Sequence, residues 1–482
     1  MNITQREIEA GLRGLGLKAG DIVLLHSSLS SLGEVERGAD AVIDAFLEVL
    51  GASGTLVAPT TSRALGIIPE TVKGRPGARH SIHPRASVAA IGEAAENICR
   101  DHWKAELAHG PDTPYVRIAE MGGYVCLLGV DQDRNTTLHT AEELLRLPYL
   151  RPTIEHTFDT PEGRVTKSWP FFPGPHRNFI GLDRLFRESG KMCIGRIGDA
   201  VVRLIRAADL IAIARAAGER DPAFALCDNP NCGDCVRQRA DLRRHRFSQA
   251  SFAVATSACL AGRTVDEIAE HCQASGVDAV ELDCLKGKPI LALDADVVRR
   301  AVERLREEGC RVTALRAPAI GQKAGDLFRL ARDVDVGRVV LPLSARASEH
   351  AALAGEAGVT VSFFNVGLDS PGASDLLLRL KSEGSSPGFT FHAAHFAHAG
   401  ELPFLGSYKQ KLRRFVDQLE VEDALYDGTP QPLGLGNAEV KEMISILSAS
   451  GFAGFMVLGQ GNRLTGTLLD AVRRFEHLLD TM

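Results

Sequence analysis

The chain has 482 residues, 45% of them hydrophobic and 24% charged, with a formal net charge of −6 at pH 7, which predicts more than one domain with an ordinary apolar core. The net negative charge and the absence of a long basic run argue against a nucleic-acid-binding protein. No signal peptide and no apolar stretch of membrane-spanning length is recognisable, so we expect a cytoplasmic protein with no membrane partner.

The first half of the chain predicts a mixed α/β domain. In chain order, the predicted elements are a helix opened by a capping box at Thr4 and Glu7, a strand over 21–25, a helix near 38–50, strands over 54–58 and 124–129, and a helix from about Asn135. A loop-rich region over 60–115 lies between the last two strands. Regions of this length inside a domain are usually functional or disordered, and the histidines and serines here favour a function.

A run of small hydroxyl residues follows the first predicted strand. It consists of His26, Ser27, Ser28, Leu29 and Ser30. At the end of a strand, backbone N–H groups and side-chain hydroxyls can converge on an anion. Serine-rich turns are also common where no ligand binds, so this run alone indicates a site only weakly.

A second candidate for phosphate binding lies in the loop-rich region. Ser87 is placed where a helix is predicted to start, and Ser81 and His83 precede it in the segment HSIHPRASV. A serine in a first helical turn with Arg79 and Arg85 nearby would suit a phosphate group. The same pattern fits a capped helix start equally well.

A histidine and two carboxylates share the beginning of the last predicted helix of this half. With Asn135 or Thr136 as the cap, His139 falls in about the first turn. Glu142 and Glu143 follow three and four residues later, so at least one of them shares its face. A carboxylate that holds one imidazole nitrogen fixes the tautomer and raises the basicity of the ring. A lone helical histidine is more often structural, so the local pattern leaves both interpretations open.

Taken together, the segments HSSLSSLG, HSIHPRASV, HGPDTPYV and TTLHTAEELL resemble the aminoglycoside 3-N-acetyltransferase family over about 1–240. The resemblance implies an acyltransferase that uses acetyl-CoA as co-substrate, with His139 as general base and Glu142 as its carboxylate partner. It places acetyl-CoA at His26, Ser27, Ser28, Leu29, Ser30, Ser81, His83, Ser87 and Thr113. The implied acceptor is a small-molecule amine, an aminoglycoside or an amino-sugar-like compound, used in antibiotic resistance or in biosynthesis. A homo-oligomer is left open.

Three of the ten cysteines form a cluster. Cys227, Cys232 and Cys235 have C-x4-C-x2-C spacing in a turn rich in Pro, Gly and Asn, which suits a structural zinc ion with four ligands. The candidates for the fourth ligand are Cys193, His176 and His245. A turn with reduced thiols or a redox pair would show the same spacing. The cysteines that stand singly in apolar patterns, among them Cys126, Cys259 and Cys272, are interpreted as reduced, buried thiols.

The second half, over 250–482, predicts a (β/α)8 TIM barrel. Apolar runs alternate with helical patterns, and strict alternation implies a parallel sheet. Eight units of this length point to a closed barrel. The predicted strands are 252–258, 279–283, 311–318, 338–343, 360–366, 389–395, 421–427 and 454–459. An arginine-rich linker over about 235–251 separates the barrel from the first half.

The barrel resembles the xylose-isomerase-like sugar-phosphate isomerase and epimerase family, through VDAVELD, FHAAHFAHAG and GLGNAEVKEM. That family holds a divalent metal through side chains at strand ends, and the corresponding positions here are Phe364, His392, Ala424 and Gly459. None keeps the family's ligand type, so we expect a divergent barrel without the family's metal site. The remaining candidates for a ligand site are Glu281, His392, His395 and Asp427. The alternative is a bifunctional enzyme whose barrel is an active sugar isomerase or epimerase.

Overall fold

The computed structural model describes residues 2–61, 65–174, 176–318 and 324–482. The chain divides into two compact units, Met1–Gln238 and Arg239–Met482. The predicted fold class is confirmed, because the first unit is mixed α/β and the second contains a closed parallel barrel. Among the described residues, no helix combines the length and apolarity that a bilayer crossing requires.

The first unit is built around one sheet. Its strands are β1 (Ile22–Ser27), β2 (Thr55–Pro59), β3 (Arg79–His80), β4 (Val88–Gly92), β5 (Tyr124–Leu128), β6 (Arg151–Pro152), β7 (His156–Thr160), β8 (Gly163–Lys167), β9 (Pro170–Phe171), β10 (Met192–Ile197) and β11 (Ala200–Arg206). In the described part of the chain, seven of them form a sheet in the order β10-β11-β5-β1-β2-β4-β3. The central strands β5, β1 and β2 are parallel, and the outer strands are antiparallel.

The central strands are apolar on both faces because helices cover both faces. Leu24 and Val125 belong to one buried cluster, and Val23 and Cys126 belong to the other. The helices of this unit are Gln5–Gly14, Ala39–Leu50, Ile67–Gly74, Ala95–Cys99, Pro114–Glu120, Leu138–Leu144, Asp183–Glu188 and Ala207–Arg220, and the helix Gly233–Ser248 continues into the second unit. The predicted capping box at Thr4 and Glu7 is present.

One local prediction in this unit is wrong. A helix start was predicted at Ser87, but strand β4 follows directly. The segment Val88–Gly92 pairs antiparallel with β2, so its backbone groups are used in the sheet rather than in a helical turn. The β-branched Val88 and the alternation of apolar contacts favour this pairing once β2 is present.

The second unit is the barrel. Its strands are β12 (Ala253–Ser257), β13 (Ala279–Leu282), β14 (Cys284–Leu285), β15 (Lys288–Pro289), β16 (Arg311–Arg316), β17 (Arg338–Pro342), β18 (Thr360–Phe364), β19 (Gly388–His392), β20 (Val416–Val421), β21 (Asp423–Ala424), β22 (Pro430–Gln431) and β23 (Phe455–Leu458). Within the described residues, eight of them close in the order β12-β13-β16-β17-β18-β19-β20-β23. The predicted (β/α)8 barrel is therefore confirmed.

Helices alternate with the barrel strands. They are Ala258–Ala261, Val265–Ser275, Ala295–Glu307, Ala324–Asp333, Ala347–Ala357, Ser370–Ser382, Ala393–His398, Val440–Ala449 and Leu468–Asp480, with a π-helix at Pro403–Leu412. Val298, Ala301, Val302 and Leu305 form the buried stripe of one helix and pack into the main core of the barrel unit.

Two predictions for the barrel unit need correction. The seventh strand was predicted at 421–427 but lies at Val416–Val421, because its buried polar residues Gln418 and Glu420 face the barrel interior. Cys259 was interpreted as a reduced thiol, but it forms a disulfide with Cys284. The neighbouring strands β12 and β13 bring the two cysteines together, which their separation of 25 residues did not reveal.

Candidate active site

The histidine and the glutamate of the last helix-start motif form a direct pair. The helix Leu138–Leu144 places them one turn apart, and His139 Nδ1 lies 2.6 Å from Glu142 Oε2. The other carboxylate oxygen, Oε1, accepts hydrogen bonds from Tyr149 Oη and Arg177 Nε, both at 2.7 Å. The Glu142 side chain is completely buried, so these partners replace the water that it has lost.

Two aromatic rings pack against the imidazole, one on its face and one edge-on. The His139 ring stacks on Phe172 with centroids 3.6 Å apart and planes 8° apart, and Phe179 meets it edge-on. His139 keeps 13% of its side-chain surface exposed. Since Nδ1 is engaged by Glu142, Nε2 is the nitrogen left for a substrate proton.

The protonation states of the pair follow from burial and charge. Burial lowers the pKa of His139 to about 4, although the hydrogen bond to Glu142 acts in the opposite direction. Burial by itself raises the pKa of Glu142, but the hydrogen bond from His139 and the charge of Arg177 outweigh it and lower that pKa. The imidazole is therefore neutral and its partner ionised near pH 7.

A second pair supports the first. His109 donates its backbone N–H to Glu143 Oε2 at 2.7 Å, and its Nδ1 lies 2.9 Å from Glu143 Oε1. Thr140 donates to the carbonyl of His109, and the rings of His109 and His139 are 5.4 Å apart. Of the two glutamates left open by the sequence, Glu142 serves His139 and Glu143 serves His109.

A cavity of about 790 Å³ lies where β1 and β5 end. The run from His26 to Ser30 lines it, together with Gly33, Val35, Ile67, Gly129, Asp131 and Arg134, among others. His26 Nε2 and Ser27 Oγ are buried without a hydrogen-bond partner among the described residues. Burial lowers the pKa of His26 to about 3, so this ring is neutral. Gly129 has a φ of 68°, and Ser31 Oγ donates to its carbonyl.

The other residues predicted to bind acetyl-CoA lie outside this lining. Ser81 Oγ accepts the N–H of Val88, and His83 Nδ1 accepts the N–H of Ala86. Ser87 and Thr113 are also engaged within the unit, through Thr60 and the Gly110 carbonyl respectively.

The cysteine cluster gains a fourth member in the structure. His176 Nδ1 lies 3.2 Å from Cys235 Sγ and 3.4 Å from Cys232 Sγ. Possible ligand atoms of His176, Cys227, Cys232 and Cys235 all lie within 4.8 Å of one another. Of the three candidates that the sequence offered for the fourth position, only His176 is in this group among the described residues.

The first unit matches one known family over most of its length. The family model of aminoglycoside 3-N-acetyltransferases matches residues 24–64 and 60–218. Aminoglycoside N(3)-acetyltransferase IV of Salmonella sp. is 34% identical over 250 residues, which are 48% of this chain and 93% of that protein. The chain belongs to the aminoglycoside 3-N-acetyltransferase family. The predicted resemblance is thus confirmed, and the unit Met1–Gln238, named the acetyltransferase unit below, is an acyltransferase.

Other relatives give the same extent of similarity. Aminoglycoside N(3)-acetyltransferase VIII of Streptomyces fradiae is 32% identical, over 43% of this chain and 89% of that protein. The crystal structure of the aminoglycoside acetyltransferase AAC(3)-IVa apoenzyme is 31% identical, covers 50% of this chain and 98% of that one, and has a TM-score of 0.46. The family match ends at residue 218, before the barrel begins.

In the barrel unit, Arg239–Met482, the predicted ligand residues lie in three places. Glu281 accepts hydrogen bonds from Arg316 and Gln418 inside the barrel. His392 and His395 stack with ring centroids 3.5 Å apart and line a cavity of about 420 Å³ at the barrel mouth. Asp427 lies in an exposed turn, where it accepts the N–H of Thr429.

The barrel-mouth cavity also contains charged residues that the sequence did not single out. They are Arg316, Glu420, Glu422 and Arg463. Glu420 was missed because the seventh strand was predicted too late in the chain. The alternation Gln418, Glu420, Glu422 was the available signal, since alternate residues of a barrel strand face the interior.

Proposed function

We propose that the acetyltransferase unit transfers the acetyl group of acetyl-CoA to an amine of an aminoglycoside or amino-sugar-like acceptor, with His139 as the general base. The observation that carries this proposal is the pair formed by His139 and Glu142. A buried carboxylate, itself fixed by Tyr149 and Arg177, binds Nδ1 of an imidazole that keeps 13% of its side-chain surface exposed, and this contact leaves Nε2 unused. The names of the relatives suggest the class of acceptor.

In the proposed reaction, the acceptor amine attacks the thioester carbonyl carbon. A C–N bond forms, and the proton released from nitrogen moves to Nε2 of the neutral His139. The tetrahedral adduct collapses as the C–S bond breaks, and the CoA thiolate takes the proton from the His139 imidazolium, which restores the neutral base. Glu142 accepts the Nδ1–H and stabilises the imidazolium, as a buried carboxylate does for other catalytic histidines.

The cavity at the ends of β1 and β5 is the proposed acetyl-CoA site. Its lining combines apolar side chains such as Val35 and Ile67 with the hydroxyls of Ser27, Ser28 and Ser30, which suits the alternating apolar and amide groups of a pantetheine arm. The unpartnered His26 Nε2 and Ser27 Oγ supply buried groups that a ligand can satisfy.

The acceptor class is tested by thiol release. We expect the purified full-length chain to release CoA thiol from acetyl-CoA only when an amine acceptor is added, with faster turnover for aminoglycosides and amino sugars than for simple alkylamines. The matched control for each acceptor is the analogue in which hydroxyl groups replace the amino groups. With this analogue, thiol release should not exceed the acceptor-free rate. Equal rates with and without the amine for every acceptor would overturn the proposal.

The lowered pKa of His139 predicts the pH profile. A base must be neutral to accept a proton, and a pKa of about 4 keeps His139 neutral at every pH well above that value. Protonation of His139 should therefore lower kcat/KM only near pH 4, and not near 6.5. Protonation of the acceptor amine also lowers kcat/KM, but its pH shifts with the pKa of the amine, whereas the His139 step is the same for every acceptor. Comparing acceptors whose amines differ in pKa therefore separates the two. A step common to all acceptors at or above 6.5 would contradict the assignment.

We propose further that His176, Cys227, Cys232 and Cys235 hold a structural zinc ion. Three thiolates and one imidazole are a usual tetrahedral set for structural zinc. The site would also support the catalytic pair, because the next residue, Arg177, donates to Glu142 and to the His176 carbonyl. Fixing His176 on the metal would therefore fix the guanidinium that holds Glu142.

Removing a zinc ligand is expected to remove the metal and loosen the acetyltransferase unit. Cys232→Ser should lose the bound zinc, measured by mass spectrometry of the purified chain, and should lower the free energy of unfolding by more than about 2 kcal/mol, because loss of a metal is among the few single changes with large effects. The control is Cys193→Ser, an exposed cysteine of the same unit. Equal zinc content in the two variants would contradict the site.

A further inference from the structure

The mouth of the barrel gathers more buried negative charge than positive charge. Arg316 Nη1 donates to Glu281 at 2.9 Å and to Glu420 at 2.6 Å, and both carboxylates are about 1% exposed. Glu422 adds a third carboxylate with 11% of its side chain exposed. Among the described residues of this cluster, one guanidinium thus faces three carboxylates. Uncompensated buried charge is costly, so the cluster is stabilised either by a bound cation or by the protonation of one carboxylate.

The cluster contains an imidazole as well as carboxylates. His392, buried at the end of β19, has its Nε2 3.3 Å from Glu422 Oε2. Its Nδ1 is buried with no hydrogen-bond partner in the described part of the chain. Possible ligand atoms of His392, Glu420 and Glu422 lie within 4.8 Å of one another. A set of one nitrogen and two oxygen donors suits a divalent transition metal better than it suits an ammonium ion.

The backbone next to these carboxylates leaves room for them to converge. A Cβ built on Gly459 would collide with Oε1 of both Glu420 and Glu422. Gly461 donates its N–H to Glu422 Oε1 at 2.6 Å, which orients that carboxylate. The space beside the Gly459 backbone is thus occupied by the carboxylates of residues 420 and 422.

We infer that the barrel mouth is a divalent-metal site formed by His392, Glu420 and Glu422, with the cavity beside it taking a small ligand that coordinates through oxygen atoms. Arg316 positions Glu420 by holding one of its oxygens and leaving the other free. The metal would bring the charge that the carboxylates lack. His392 ends the sixth barrel strand, Glu420 lies in the seventh, and Glu422 directly follows it. The divergent barrel would therefore bind a metal through a set of ligands of its own.

The remaining coordination positions define the class of ligand. Three protein donors leave positions open on a metal that accepts more than three ligands. Phe364 and Leu464 line the cavity on its apolar side, and the exposed Arg463 lies at its edge. A volume of about 420 Å³ suits a small polyhydroxylated or hydroxycarbonyl compound. The inference does not depend on the acetyl-transfer function.

The test is manganese binding to the full-length chain. Mn²⁺ prefers oxygen and nitrogen donors to thiolates, so it discriminates against the cysteine cluster. We expect one tightly bound Mn²⁺ per chain by electron paramagnetic resonance, with a hyperfine coupling to an imidazole nitrogen. Glu422→Gln and His392→Asn should each weaken binding at least about tenfold, and His392→Asn should remove the nitrogen coupling.

Two controls separate this site from others. Asp427→Asn alters an exposed acid of the same unit and should leave the Mn²⁺ affinity unchanged, as should Cys232→Ser. The inference is overturned if the unaltered chain binds no Mn²⁺, or if bound Mn²⁺ lacks the nitrogen coupling. Thermal stabilisation of the chain by an amino sugar that is lost in Glu422→Gln, with no Mn²⁺ uptake, would overturn it in favour of an ammonium ligand. The unaltered chain decides the question even where a variant fails to fold.

Discussion

Replacing His139 by alanine is expected to lower kcat/KM for acetyl transfer about 10²–10⁴-fold, the usual contribution of a positioned general base. In free energy this is roughly 3–5 kcal/mol of transition-state stabilisation. The imidazole is the group whose free nitrogen can take the amine proton, since Nδ1 is bound to Glu142. CoA thiol release is measured with a saturating aminoglycoside acceptor, and kcat/KM for acetyl-CoA is obtained from the rates at low acetyl-CoA concentration.

The matched control is His80→Ala, which alters an exposed histidine of the same unit. It should leave kcat/KM unchanged. The chain contains two tryptophans, Trp103 and Trp169, and both lie in the acetyltransferase unit. Their fluorescence therefore reports the unfolding of that unit and shows whether His139→Ala remains folded. A folded His139→Ala variant that acetylates at the unaltered rate would remove His139 from the mechanism.

The fold could be predicted from the sequence because its periodicities are local. The strict alternation of apolar runs and amphipathic helices predicted the barrel. One strand was placed too late in the sequence, at the point where polar and charged residues lie inside the barrel. Gln418 and Glu420 break the apolar pattern of the seventh strand, although both are buried. Glu420 accepts a hydrogen bond from Arg316 and Gln418 donates one to Glu281, and both partners come from other strands. A single-sequence pattern cannot anticipate such pairing.

The pairing of His139 with Glu142 was predictable for the same reason, whereas the residues that hold Glu142 were not. His139 and Glu142 are three residues apart on one helix, a spacing that the sequence shows directly. Tyr149 and Arg177 reach Glu142 only after the chain between them has folded. The zinc proposal has the same character, because the cysteine spacing is local while His176 comes from a distant loop.

The second large effect concerns the buried charge on Glu142. Glu142→Leu should lower the free energy of unfolding of the acetyltransferase unit by about 3–5 kcal/mol, because it leaves Arg177 as an uncompensated buried cation and Tyr149 without its acceptor. The Arg177 side chain is only 3% exposed, so water cannot replace the carboxylate. Urea unfolding followed by tryptophan fluorescence gives the value. Glu142→Gln keeps an acceptor for both donors and should cost less.

The double variant Glu142→Leu with Arg177→Leu separates stability from catalysis. Removing both charges eliminates the unpaired cation, so we expect the double variant to recover most of the stability lost by Glu142→Leu alone. Acetyl transfer should not recover, because His139 would still lack the carboxylate that orients its ring. Strictly additive losses of stability would show that the two residues do not interact as a pair. Recovery of activity together with stability would mean that Glu142 acts only through the fold, and its assignment as the partner of His139 would be wrong.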